Sequence, residues 1–348
     1  MTALNNNLDS PLKSWEEIKG QFQKAEILVG NGLSRAVWDK FEYLSLYEKS
    51  VSNSNHPLSK LDIQLFKDWG ADGNFEKVLS NLLIAKRTNE IIGQSNDSEV
   101  QTVIRERYTN IRNALIDAVS EVHISSRDIH QNPNILNSIR EELKNYSCVY
   151  STNYDLLIYW AIMSNSDSFK DFFWSREREF DITDTEANNN STKILYLHGA
   201  IHLYREMGRT KKLIHQPKLE QSQRQTILEQ FKNLWDIENN VTPLFIAEGN
   251  SKEKLESIYR SDYLSFAYSQ FQIHKESLVV FGHSLGESDK HLIDAIKAAN
   301  ITNIAISMMQ PDKERMANLH KKFFSSNLFF FNAQSHPLGN PSLKVVVE

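Results

Sequence analysis

Ile27-Leu-Val-Gly-Asn-Gly-Leu-Ser34 is a short apolar run that stops at a Gly-x-Gly turn and leads into a helical pattern of Leu33, Val37, Trp38 and Phe41. A strand that ends on glycine and feeds directly into a helix is the opening unit of a parallel α/β sheet. Six further runs share its character: Ser147–Tyr150, Ile194–Leu197, Pro243–Ile246, Ser277–Phe281, Asn303–Ile306 and Leu328–Phe331. None alternates with polar residues, as expected of strands covered on both faces. Helical patterns fill the intervals, at Val100–Val122, Pro133–Asn145, Asp155–Met163, Ser251–Gln272, Asp289–Ala299 and Asp312–Phe323. The sequence therefore predicts an α/β fold, a mostly parallel sheet with helices on both faces. More than a hundred residues separate the first two strands, too many for one crossover, so a helical insertion is expected at about 45–145. Around this core the reading gives an N-terminal extension over 1–20, one domain over 21–335 and a tail over 336–348.

Composition narrows the function classes. The 348 residues carry 39 basic and 44 acidic side chains, a net charge of −5, which argues against a duplex-DNA binder with a broad basic face. Cys148 is the single cysteine, so neither an intrachain disulfide nor a four-thiolate zinc module can form. The polar start, Met1–Leu12 with Asn5–Asn7, lacks a secretory pattern, and no run approaches eighteen apolar residues. A cytoplasmic protein is expected, with no direct nucleic-acid binding and no membrane. The basic stretch Arg205, Arg209, Lys211, Lys212 and Lys218 reads first as a solvated face and second as a phosphate contact. His123, His130, His215, His274 and His320 show no metal-ligand spacing. His198 and His202 are four apart but in strand context, so no metal is expected.

Glycine is scarce, 12 of 348 residues, and Gly30, Gly32, Gly199, Gly249, Gly282 and Gly286 all follow apolar runs. They sit at the carboxyl ends of the expected strands, the edge at which open parallel sheets bind ligands. The turn Gly30-Asn31-Gly32 offers backbone amides and a helix N-terminus to a phosphate, or is simply a tight turn. In Ser151-Thr-Asn-Tyr-Asp155, Asn153 or Asp155 can cap the next helix, and the Asn153 amide can hold a water or a ribose hydroxyl. His198, at the tip of Leu195-Tyr-Leu-His-Gly199, is a general-base candidate or a buried hydrogen-bonded histidine. Gly282-His-Ser-Leu-Gly286 matches a Gly-x-Ser-x-Gly nucleophile elbow, which would make Ser284 a nucleophile with Asp312 and His336 as partners.

The ordered set Val29-Gly-Asn-Gly-Leu-Ser34, Ser151-Thr-Asn-Tyr-Asp155, Leu197-His-Gly199 and Gly282-His-Ser-Leu-Gly286 with Asp289 resembles the sirtuin-like NAD-consuming family, closest to its bacterial antiphage-defence branch. The resemblance runs over most of 20–335 and implies a Rossmann-like fold. It implies an NAD+ glycohydrolase that frees nicotinamide and ADP-ribose, with NAD as substrate. Gly30, Asn31, Gly32 and Ser34 would then cradle the phosphates, Asn153 and Asp155 would order the nicotinamide ribose or water, and His198 would be the general base. Gly282, Ser284 and Leu285 would face the adenosine half. The chain has neither the four-cysteine zinc module nor the Gly-Ile-Pro-Asp-Phe-Arg stretch of protein-deacylating sirtuins, with Arg35-Ala-Val-Trp38 following Ser34 instead, so deacylation is not implied. Asn74-Phe-Glu76 would line the pocket, and Ile246–Ser251 leading to Tyr263 would close over the nicotinamide. The branch further implies a homo-oligomer and a defence partner such as a HerA-like ATPase or a prokaryotic Argonaute. Two other classes stay open: a serine hydrolase using Ser284, and a non-catalytic module that senses NAD or ADP-ribose.

Overall fold

A computed structural model describes residues 11–41, 46–52, 55–71, 73–93, 99–175, 177–185, 191–214, 226–234, 240–246, 249–273 and 277–346. The first strand, β1 (Glu26–Val29), lies in the middle of a seven-stranded sheet whose neighbouring strands pair parallel. Ile27, Leu28 and Val29 are fully buried, which is why the run is apolar throughout. In chain order the other strands are β2 (Cys148–Ser151), β3 (Phe169–Lys170), β4 (Thr192–Tyr196), β5 (Gly199–Glu206), β6 (Arg209–Lys212), β7 (Val241–Phe245), β8 (Leu278–Phe281), β9 (Asn303–Met308) and β10 (Asn327–Asn332). The large sheet has the order β10-β9-β8-β1-β2-β4-β3. From β1 the chain moves outward through β2 and β4, and from β8 it moves the opposite way through β9 and β10. The direction reverses between β1 and β8, and a crevice opens at the carboxyl ends of the strands there. The expected α/β fold is what the structure shows.

The Pro243–Ile246 run leaves the parallel sheet. As β7 it pairs antiparallel with β5, which forms a hairpin with β6, making a second, three-stranded sheet. Two glycine positions make this possible. Gly199 takes φ +71°, turning the chain sharply from β4 into β5, and Met207 and Gly208 both take positive φ in the two-residue hairpin loop. The basic stretch is this hairpin. Arg209 pairs with Glu179 at 2.7 Å, Lys211 with Glu206 at 2.5 Å, and buried Lys212 with Asp171, so these cations already have carboxylate partners. Lys218, His215 and His274 lie outside the described residues.

Between β1 and β2 the described chain is helical, after α1 (Trp15–Ile18) at the N-terminal side: α2 (Gly32–Val37), α3 (Leu46–Ser52), α4 (Lys60–Asp68), α5 (Phe75–Gly93), α6 (Glu99–Val122), α7 (Ser126–His130) and α8 (Pro133–Leu143). Tyr108, Ile111, Leu115, Ala118 and Val122 form the buried stripe of α6, and the Tyr108 hydroxyl donates to the Val241 carbonyl at 2.9 Å, tying the helices to the small sheet. Further on come α9 (Leu157–Met163), α10 (Ile227–Leu234), α11 (Ser251–Tyr259), α12 (Asp262–Ile273), α13 (Lys290–Ala298) and α14 (Lys313–Lys322). The single helix expected over Ser251–Gln272 is thus two, broken at Arg260 and Ser261, where the Ser261 hydroxyl accepts from the Leu264 amide. No helix among the described residues is long and apolar enough to cross a membrane.

Segments before β1 and after β10 enter the core. Trp15 is buried beside Phe331 of β10, and His336, Leu338 and Leu343 are buried beyond it, with the Val345 amide donating to the Val37 carbonyl. His336 accepts from the Leu338 amide through Nδ1 at 3.1 Å, which leaves Nε2–H to donate to the Tyr146 hydroxyl at 2.9 Å, and Tyr146 donates on to Glu142 at 3.0 Å. Burial holds its pKa down to about 3. The folded pKa lies below the unfolded value near 6.5, so the unfolded chain takes up the proton first. This contribution to stability is complete above pH 6.5 and is lost as pH falls toward 3, at about 1.4 kcal/mol per pH unit. In urea titrations between pH 7 and 4, His336→Gln is expected to flatten the decline by about one proton's slope; an unchanged slope would show that His336 does not carry it.

Candidate functional site

The glycines at the β1–β8 crevice answer to each other. A Cβ on Gly32 would lie 2.4 Å from Gly282 Cα, and one on Gly30 would lie 2.7 Å from the Gly282 carbonyl oxygen. The two turns touch backbone to backbone, with Gly32 N–H donating to Gly282 O at 2.8 Å and Gly30 N–H donating to Phe281 O at 2.9 Å. Leu33 N–H returns to Gly30 O. Three amides that the Gly-x-Gly turn could offer a phosphate are therefore engaged within the protein, and these glycines serve close strand-to-strand packing. The Asn31 side chain donates to Phe41 O at 3.0 Å, and Leu285 is a buried packing residue at φ +53°.

Beside this contact, at the carboxyl ends of β8 and β9, lies a cleft of about 500 Å³ lined among others by Gly32, Arg35, His283, Ser284, Ser307 and Arg315. Its basic lining suits an anionic ligand. Ser284 is exposed in it, yet no hydrolase triad assembles. Asp312 caps α14 by accepting from the Arg315 amide, and both ring nitrogens of fully buried His336 are engaged. In addition the left-handed residues of the turn are Gly282 and Leu285, on either side of Ser284, whereas an elbow strains the nucleophile itself.

On the other side of β1, Asn153 Nδ2 donates to Gly30 O at 3.1 Å and to Ser34 Oγ at 2.9 Å. A carbonyl can only accept, which fixes the amide's orientation. Ser34 Oγ donates in turn to Asp155 Oδ2, and Asp155 Oδ1 accepts from the Leu157 amide at 2.9 Å, capping α9. Strand β1 is thereby stitched to the end of β2. Both amide hydrogens of Asn153 are used, while its Oδ1 has no hydrogen-bond partner among the described residues.

His198 follows β4 as Asn153 follows β2. Each lies two residues past the last pair of the β2–β4 ladder, Ser151 with Tyr196. Both residues therefore follow neighbouring strands at the carboxyl edge of the sheet. His198 Nε2 faces His291 Nε2 at 2.8 Å, and His291 Nδ1 lies 3.2 Å from Ser251 Oγ. Asp289 Oδ1 accepts from Lys254 Nζ at 2.7 Å, and His283 Nε2 stands 3.7 Å from Asp289 Oδ2. Burial, followed by the nearby Lys254 charge, pushes His198 well below the usual histidine range, and burial brings His291 down to about 4. Both rings are neutral at pH 7. Burial would raise the Asp289 carboxyl, but His198, His283 and Lys254 pull it well below its ordinary value.

Sequence spacing tested His202 as the partner of His198, but His202 lies between the Tyr159 and Tyr196 rings. The partner is His291, near the start of α13 and far along the chain, and no local spacing marks it. His198, Asp289 and His291 bring their ligand atoms within 4.8 Å of one another, a grouping that could surround a metal ion. Lys254 opposes this use. Its ammonium already holds the Asp289 carboxylate at 2.7 Å. The cluster is better suited to hydrogen bonding and proton transfer.

Other expected pocket residues are structural. Asn74 Oδ1 accepts from the Lys77 amide in the first turn of α5 while its buried Nδ2 has no hydrogen-bond partner among the described residues, and Glu76 accepts from Ser257 Oγ, its pKa raised by burial. Tyr263 is fully buried, its hydroxyl accepting from the Tyr196 amide, so it does not close over a ligand; Ala247 and Glu248 lie outside the described residues. Neither Asn153 nor His198, 7% and 3% exposed, lines the 500 Å³ cleft.

Fold and site together define a Rossmann-like α/β protein with a polar cluster at the carboxyl edge of its parallel sheet. The chain belongs to a family described as a domain of unknown function, DUF4917, which matches residues 27–337 and so covers Asn153, His198 and His291. No curated protein matches it.

Proposed function

We propose that the protein is an NAD+ glycohydrolase that releases nicotinamide and ADP-ribose. The supporting observation is that Asn153 and His198 follow neighbouring strands at the carboxyl edge of the sheet, and that Asn153 Oδ1 and His198 Nδ1 have no hydrogen-bond partner among the described residues. An amide oxygen and an imidazole nitrogen that the protein itself leaves unused at that edge are free to meet a ligand. Breaking the nicotinamide–ribose bond makes few demands on the protein, because the electron pair leaves with a neutral pyridine. Asn153 would orient the ribose or water, His198 would take the water proton, and the water oxygen would bond to the ribose carbon. The basic cleft past Gly282 would hold the rest of the dinucleotide.

At 3% exposure His198 cannot meet a nicotinamide until the site opens. This fits the sequence resemblance to defence effectors held inactive until assembly with a partner, and it extends the proposal to such a role. Two measurements on the full chain test the function. Chromatography of NAD+ incubations should show nicotinamide and ADP-ribose in equal amounts, and calorimetry should show ADP-ribose binding lost in Arg315→Ala. The cleft and the closed His198 also favour a second reading, a sensor of NAD or ADP-ribose. Binding of NAD+ without cleavage, with partners supplied, selects it over the hydrolase. A fluorophosphonate label on Ser284 would instead select the serine hydrolase.

A further inference from the structure

We infer that His123, at the end of α6 in the helical insertion, is a positioning residue that holds the turn carrying Asn153 at the sheet rim; the catalytic use of that turn rests on the glycohydrolase reading. The first amides of a helix have no partner inside it, so a buried one needs an acceptor from elsewhere. At the start of α9, Asp155 Oδ1 takes the Leu157 amide. The amide before it belongs to Leu156, which is fully buried, and it donates to His123 Nε2 at 3.0 Å. A histidine 33 residues back along the chain thus completes the cap of the helix that follows Asn153.

The partners fix the tautomer. An amide N–H can only donate, so Nε2 is bare, and the Ile124 carbonyl can only accept, so Nδ1 carries the ring hydrogen and donates it at 2.8 Å. Protonation would turn a second N–H toward the Leu156 amide. Burial pushes the His123 pKa down, against the opposing charge of Asp155, and the ring stays neutral at pH 7. Phe41 and Trp160 stand nearly perpendicular to the imidazole, each with its centroid 5.3 Å away, and hold its plane. The Phe41 carbonyl accepts from the Asn31 side chain, and Asn153 donates to Gly30 O. One circuit of contacts therefore joins the Gly30–Gly32 turn, the end of the insertion and the turn from Ser151 to Leu157. Without the imidazole, the Leu156 amide is left buried and unmatched, and the turn must shift to reach another acceptor. Asn153 lies three residues before Leu156 and shifts with it.

Three measurements on the full chain test this. Long-range 1H–15N spectra of protein labelled with 15N-histidine, with the His123 signals assigned by their loss in His123→Gln, should show a protonated Nδ1 and a bare Nε2 at pH 7. A protonated Nε2 overturns the inference whether or not the protein turns over. In His123→Leu, hydrogen exchange at the Leu156 amide should speed up at least about tenfold more than at the Leu28 amide of β1; an equal rise at both means a general loss of stability and overturns it. His123→Gln offers an oxygen to Leu156 and an N–H to Ile124, so its nicotinamide release should stay within about threefold of wild type, whereas His123→Leu should lose at least about tenfold, in kcat more than in KM. Equal losses in the two variants overturn the positioning role. If wild type releases no nicotinamide, the hydrolase reading fails, and the spectra and exchange rates still decide whether His123 holds the turn.

Discussion

Gly199→Ala is expected to lower the stability of the protein by roughly 3–5 kcal/mol, seen as a large fall in the urea midpoint or as loss of soluble protein. The position combines two demands. Its φ of +71° costs an L-residue about 1–2 kcal/mol, and a Cβ there would stand 2.0 Å from the Leu244 carbonyl oxygen, inside any tolerable contact. Relief requires β7 to move away from the start of β5, which breaks the Ile246 N–H to His198 O bond of 2.8 Å. Gly208→Ala is the matched control. It shares a positive φ, +85°, but a Cβ there has nothing within 4 Å, so only the conformational cost of about 1–2 kcal/mol remains. Equal losses at the two positions would mean that the contact with β7 is not what requires a glycine.

The same comparison shows what the sequence could and could not convey. The parallel strands were legible because burial on both faces leaves nothing but apolar residues, and the carboxyl-edge glycines pointed at the rim that carries Asn153 and His198. Why those residues are glycine was not legible. The demand at Gly30 and Gly32 comes from Gly282, some 250 residues away in the chain, and the demand at Gly199 comes from Leu244. Such close approaches leave the same mark in a sequence as a phosphate-binding turn does. The second sheet was hidden for a related reason: the β5–β7 pairing is non-local, and its register shifts between Gly199 and Tyr204, so no regular alternation survives.

The serine motif illustrates the limit of local context. Gly282-His-Ser-Leu-Gly286 does follow a strand and precede a helix, as an elbow requires, yet its histidine serves the turn by accepting from the Leu285 amide at 3.0 Å and approaching Asp289. His291 had the opposite fate. It sits among helical residues with no motif around it, and it becomes part of the site only because α13 packs its N-terminal end against α11, where Ser251 meets it. A side chain recruited through helix packing has no spacing rule that a single sequence can reveal.

On the hydrolase reading, His198→Ala should reduce nicotinamide release by about 10²–10⁴-fold, the usual contribution of a general base. Its melting temperature should move little in comparison, because the ring has one direct side-chain partner, His291. Asn153→Ala should lose activity as well, but with a structural component. It removes the donors to Gly30 O and Ser34 Oγ, bonds worth about 1 kcal/mol each, and with them part of the tie between β1 and β2. Asn153→Asp separates the two effects. A carboxylate facing the Gly30 carbonyl has no hydrogen to give, so this variant should be less stable than Asn153→Ala, although it keeps the side chain's size and an oxygen to hold a ribose. Release rates and melting temperatures for the three variants, measured alongside ADP-ribose binding in the Arg315 cleft, form one test. If cleft binding persists while release falls in His198→Ala, the chemistry lies at the β2–β4 rim; if release is unchanged in both alanine variants, the reacting atoms lie elsewhere and this assignment of the site is wrong.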